Sequence, residues 1–254
     1  MGVLDKKSSN PMFKEAVLKR LDGIDSGTMS VNGTITKTIW LLLITVVTAA
    51  CSWQFMLSMG SALYPVLFIS LIAGVILFYY TIKNPNNAHI TAPIYAVIEG
   101  LFVGVVTAIF GSMYDGIVAN AIILTFATMG MMILIYVTKI IKVTEKFKAI
   151  MTMAIGAIFI LYMATWVLGF FGVSLPFMHD SSPLGIGLNI AIIVIAALSF
   201  LLDFDMIDKN IQARAPKKME WIGSMALLAT IVWLYIEVLR LLARLIDYSN
   251  YLNK

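Results

Sequence analysis

Charge is scarce in this chain: only 13% of its 254 residues are charged, 18 basic and 14 acidic, where an ordinary soluble domain carries about 25%. Cysteine is nearly absent. The one present, Cys51, excludes an intrachain disulfide and with it a secreted disulfide scaffold, and within an apolar run it reads as a small filler. There is no GxSxG, HExxH, CxxC, phosphate-binding glycine loop or EF-hand loop, so none of the familiar constellations for nucleophilic, zinc, redox, nucleotide or stored-calcium chemistry is present. What fills the chain instead is apolar: 60% of residues, at a mean hydropathy of +0.92. A water-soluble fold of this length would have to hide about 150 apolar side chains behind very few charges. These shortages exclude a cytosolic enzyme and a disordered chain, and leave an integral membrane protein.

Crossing about 30 Å of hydrocarbon takes roughly 20 apolar residues in a helix. From Ile39 onward seven such runs follow one another, over 39–59, 62–82, 92–110, 117–138, 150–172, 185–207 and 222–246. Strands of a barrel would alternate polar and apolar residues, and nothing here alternates. In lipid each backbone must satisfy its own hydrogen bonds, so the runs are helices. The expectation is an all-α membrane protein of seven transmembrane helices, with a polar tail over 1–37, a membrane domain over 38–247 and a short end segment over 248–254. The tail has no apolar core behind a basic start, so no cleavable leader is expected. It reads as a flexible lead-in with a short amphipathic helix over 12–21.

The basic residues orient the bundle. Six lie in the tail, one (Lys83) after span two, four after span four and four after span six, while the loops after spans one, three and five have none. Fifteen of the 18 therefore fall on one side, which predicts a cytoplasmic amino terminus and an outer carboxyl terminus. The net charge of +4 is an effect of this bias, and no nucleic-acid partner is expected. The bilayer is the principal partner.

Ionisable groups inside the membrane are costly, about 2.5–3.5 kcal/mol each on insertion scales, and so need a partner or a wet cavity. Four acids fall there: Glu99 in span three, Asp203 and Asp205 late in span six, and Glu237 in span seven. Gly185, Asn189, Ala196, Ser199 and Asp203 form one small and polar face of span six, whereas Asp205 points elsewhere and marks the solvated end with Asp208. Asp203 and Glu237 are candidates for a pH-sensitive latch, two carboxyls sharing one proton in low dielectric. An alternative stands beside it: Arg240 and Arg244 follow Glu237 on its own helix and offer it an internal ion pair, and Asp203 is near enough to the interface to be hydrated. If span seven enters lipid at Ile222, Glu237 lies about 22 Å farther out than the cytoplasmic third that holds Asp203. The two then meet only if helix seven starts deeper or the helices are tilted.

In span three Ala92, Ala96, Gly100, Gly104 and Ala108 recur every four residues, a surface for close helix approach. Met129, Met131 and Met132 read as pliable packing. His89 and His179 lie on opposite faces and cannot share a metal.

From about Gly33 to Leu245 the chain resembles the Bax inhibitor-1 family, in its longer bacterial, YccA-like branch. The resemblance rests on Asn32-Gly33-Thr34 with Lys37-Thr38, Glu99-Gly100-Leu101 followed by Gly104, and Gly116-Ile117-Val118 leading to Ala121 and Thr125. It rests most on Asp203-Phe204-Asp205-Met206-Ile207, Met219-Glu220-Trp221, and the run from Trp233 to Leu242 that contains Leu234-Tyr235-Ile236-Glu237. It implies six helices surrounding a central seventh, and a pH-sensitive calcium leak gated by acids on helices six and seven. Asp203 matches the first of these acids and Glu237 the second, where many members have aspartate. Some members also place a basic residue on helix two; here span two has none before Lys83.

The expectation is therefore a multi-pass protein of the bacterial plasma (inner) membrane that is not an enzyme, needs no cofactor and passes calcium or other cations. Asp203 and Glu237 would gate it and touch calcium weakly in transit, with Glu99, Asn189, Ser199, Asp205 and Arg240 as further polar groups on the path. Calcium favours six to eight oxygens, so such a set suits a leak better than storage. Two other readings stay open: a non-transporting regulator that binds another membrane protein, and a proton-coupled carrier using the same acids.

Overall fold

The computed structural model describes residues 27–56, 63–173 and 180–253. Among them seven helices are long and apolar enough to cross a membrane. They are α1 (Val31–Met56), α2 (Leu63–Lys83), α3 (Ala88–Met113), α4 (Ile117–Val137), α5 (Glu145–Phe170), α6 (Pro183–Gln212) and α7 (Met219–Leu252), with a short 3-10 turn at Pro85–Asn87 before α3. The amphipathic helix expected over 12–21 and His179 lie outside the described residues, and His89 is an exposed residue in the first turn of α3.

Local chemistry sets the helix ends. The Ser182 hydroxyl accepts from Gly185 N–H, with Pro183 in the first turn of α6, and the Thr144 hydroxyl accepts from Phe147 N–H at the start of α5. Gly116, at φ +71°, makes the left-handed step into α4 that a side chain would resist. Within the helices, Thr38, Thr81, Thr125, Thr165, Ser70 and Ser199 donate their hydroxyls to carbonyls one turn back. That is how a polar side chain survives where there is no water to bond.

Burial differs sharply between helices. In the most apolar window of α7, 78% of residues are buried inside the molecule, against 11% in α5. α7 packs on α1, α2, α3, α4 and α6, and is touched by Tyr162 of α5. Cys51 turns out to face outward from α1. The small face of α3 is buried against α1: a Cβ at Gly100 would stand 2.7 Å from the Thr45 carbonyl oxygen, and one at Gly104 2.7 Å from that of Ala49. The Thr45 hydroxyl donates to the Ala96 carbonyl at 3.1 Å across the same seam. The glycines are there because the two backbones nearly touch.

Two boundaries differ from the hydropathy reading. α1 starts at Val31, before the first apolar run, and α7 starts at Met219 and continues to Leu252. Packing explains the first, since Thr34 and Thr38 are buried and the Ser224 hydroxyl donates to the Thr34 carbonyl. The segment before α1 also crosses the α6–α7 turn: Met29 N–H donates to Ala215 O, and Lys217 N–H to Gly27 O.

Candidate functional site

The small and polar face of α6 does turn inward. Gly185, Asn189, Ala196 and Ser199 are buried, Asp203 is partly exposed, and α7 packs on this helix. Two acids meet partners on the α6–α7 seam, at different heights.

Glu237 is 1% exposed and surrounded by donors. Its Oε1 accepts from the Tyr162 hydroxyl at 2.6 Å, and its Oε2 from Asn189 Nδ2 at 3.1 Å. Arg240 Nη1 lies 3.2 Å from both carboxylate oxygens and also donates to the Tyr162 hydroxyl oxygen at 2.8 Å. The guanidinium sits over the Tyr162 ring, 5.3 Å from its centre. Three helices thus converge on one carboxylate. Asn189 Oδ1, although buried, has no hydrogen-bond partner. One helical turn toward the start of α6, Arg244 donates to the Gly185 carbonyl.

Asp203 is held differently. Its Oδ2 accepts from the Thr230 hydroxyl at 2.7 Å. Thr230 precedes Glu237 by seven residues, about 10 Å along a helix. The shared proton between Asp203 and Glu237 is therefore not the arrangement found here: each carboxylate has its own partners. The reason is register. α7 begins three residues earlier than hydropathy indicated, about 4.5 Å along its axis, too little to bring Glu237 level with Asp203. Between the two acids lie Ala196 and Phe200 of α6 and Ile231 and Leu234 of α7, all buried in one apolar cluster.

The remaining sequence candidates separate into other places. Glu99 faces α2, where a Cβ at Gly74 would be 3.5 Å from its Oε1. The Ser199 hydroxyl is spent on the Ile195 carbonyl. Asp205 belongs to an ion network between α5 and α6, with Lys148 and Lys209 each 2.9 Å from its Oδ2 and Glu145 3.1 Å from Lys148. Among the described residues no group of three or more His, Cys, Asp or Glu is placed to hold a metal ion.

Two contributors were not foreseen. Tyr162 gave no signal, because one tyrosine in an apolar run looks like packing. Glu220 appeared only inside a family string, yet it is 1% exposed and fastens the start of α1: Ser30 donates to its Oε1 through both N–H (3.0 Å) and hydroxyl (2.9 Å), and Lys37 pairs with its Oε2. Lys37 also lies over the Trp221 ring at 5.2 Å.

A search of the curated proteins returned no match. A family model described as Bax inhibitor 1 like matches residues 10–247, and the chain, a multi-pass helical membrane protein, belongs to that family.

Proposed function

We propose that this protein is a pH-sensitive leak for calcium, or for cations generally, in the plasma (inner) membrane of a bacterium, with its amino terminus cytoplasmic and six helices around a central α7. It carries out no covalent chemistry. Asp203 and Glu237 are the gating acids, and calcium passes as the transported ion with only brief carboxylate contact. The observation that carries this reading is Asp203: a carboxyl on the α6–α7 seam whose hydrogen-bond partner is the hydroxyl of Thr230. Uncharged, such a group fits a dry helix interface at small cost; ionised, it demands water or a cation. The leak therefore rises as pH rises.

Calcium flux into proteoliposomes, followed from about pH 6 to about pH 8 where perturbed acids commonly titrate, tests this. Asp203→Asn is expected to hold flux at the acid-side level and flatten its pH dependence. Unchanged flux and an unchanged profile would end the proposal. The alternative is a non-transporting regulator docked on another membrane protein; the small face of α3 does not serve such docking, because α1 already covers it. Copurification of a partner without flux would favour it.

A further inference from the structure

We infer that the α4–α5 loop is a binding site for anionic phospholipid: Lys139, Lys142 and Lys146 hold phosphate headgroups, and Ile140 enters the boundary between headgroups and acyl chains. The inference goes beyond the leak and does not depend on it.

The outward apolar surface leads to this loop from both sides. On α4, Ile123, Phe126, Leu134 and Val137 are exposed on one face at helical spacing. The helix ends at Val137, and the turn after it passes through Lys139 in a left-handed conformation, φ +55°. On α5, Ile150, Met153 and Ile160 are exposed in the same way, and Lys146 lies four residues before Ile150 on that face. Two apolar stripes therefore stop where three lysines begin. Long lysine side chains at the ends of spans reach the headgroup layer.

Ile140 does not fit a loop that is merely solvated. It is 73% exposed, with Lys139 before it and Lys142 two residues after. In water its apolar surface gains nothing, whereas at a membrane surface it is buried while its neighbours stay with the phosphates. An acidic protein would satisfy the lysines equally well, but it gives no reason for an exposed isoleucine where two outward stripes end.

The charge of the loop is also uncompensated. Other cations at this end of the bundle are engaged: Lys37 with Glu220, Lys148 and Lys209 with Asp205, Lys218 with Asn86, and Lys83 over the Tyr79 ring. The one acid of the segment, Glu145, lies 3.1 Å from Lys148 and 3.8 Å from Lys209. Lys139, Lys142 and Lys146 are exposed and have no ion-pair partner among the described residues. A lysine beside an anionic membrane surface strengthens binding about fivefold, so three on one loop separate anionic from neutral lipid.

The test places a tryptophan in the loop of the whole protein (Ile140→Trp), in vesicles of phosphatidylglycerol and phosphatidylcholine in equal parts. One lipid or the other carries brominated chains, which quench, and the fluorescence of the protein without the added tryptophan is subtracted. Brominated phosphatidylglycerol is expected to quench several-fold more than brominated phosphatidylcholine. The difference is expected to vanish when Lys139→Gln, Lys142→Gln and Lys146→Gln are combined. Salt at about 1 M, where the screening length is about 3 Å, is expected to remove it with the lysines in place. Equal quenching by the two lipids at low salt overturns the inference, as does a tryptophan quenched by neither, or a preference that survives the triple substitution. A preference abolished by inorganic phosphate at constant ionic strength gives the loop to a free anion and overturns it too. Polyglutamate that binds these lysines while the two lipids quench alike gives the surface to an acidic protein instead. No readout here involves flux, so this inference and the leak stand or fall separately.

Discussion

Glu220 and Glu237 lie on the same helix and are equally hidden, each 1% exposed, but they are satisfied in opposite ways. Glu220 takes its cation from far away in sequence, Lys37 of α1, and with Ser30 it pins the start of α1 to the start of α7. Glu237 takes its cation from Arg240, three residues on, and adds Tyr162 and Asn189 from two other helices. A long-range pair breaks when two helices part; a pair within one helix travels with it. Glu220 is thus a fastening between two helices, and Glu237 one end of an ion pair that lies within α7.

The comparison can be broken at its strongest point first. Glu220→Ala leaves Lys37 without its carboxylate in a part-buried site, and removal of one partner from such a pair costs about 3–5 kcal/mol. The expected result is a large fall in melting temperature in detergent, largely recovered when Lys37→Met is added; no recovery would mean that Glu220 acts through Ser30 alone. Tyr162→Phe is the matching cut at the other end. It deletes one hydroxyl that both braces Arg240 and donates to Glu237, a loss of about 1–3 kcal/mol. The same variant should leave the Glu220 fastening untouched, visible as unchanged hydrogen-exchange protection at the start of α1. The smallest effect belongs to Asp205→Asn. Its partners Lys148 and Lys209 are 27% and 51% exposed, and exposed pairs contribute about 0–1 kcal/mol and are screened by salt. The shift in melting temperature should be slight and vanish at high ionic strength.

Much of the bundle was legible because lipid imposes a coarse rule. Seven apolar runs became seven helices, and a repeat of small residues in one of them became the α1–α3 seam at Gly100 and Gly104. The inward face of α6 was equally readable from Gly185, Asn189, Ala196 and Ser199. Partners were not. Asp203 and Glu237 share a seam, but Thr230 and Arg240 are the groups that reach them. The internal pairing of Glu237 with Arg240 was one of two readings open from their spacing, and the contact by Tyr162 was not among them. Glu220 was hidden by its position near a predicted helix start, where an acid reads as solvated.

The sequence alone determined that the chain can live in a bilayer, how many times it can cross, and which faces of α3 and α6 turn to neighbouring helices, because hydropathy and helical period act residue by residue. Only the tertiary structure decided where each helix starts against its neighbours and which polar group meets which. Those outcomes depend on how closely backbones approach, as α1 does α3 at Gly100 and Gly104, and a shift of two helical turns moves a carboxylate about 10 Å from one partner to another.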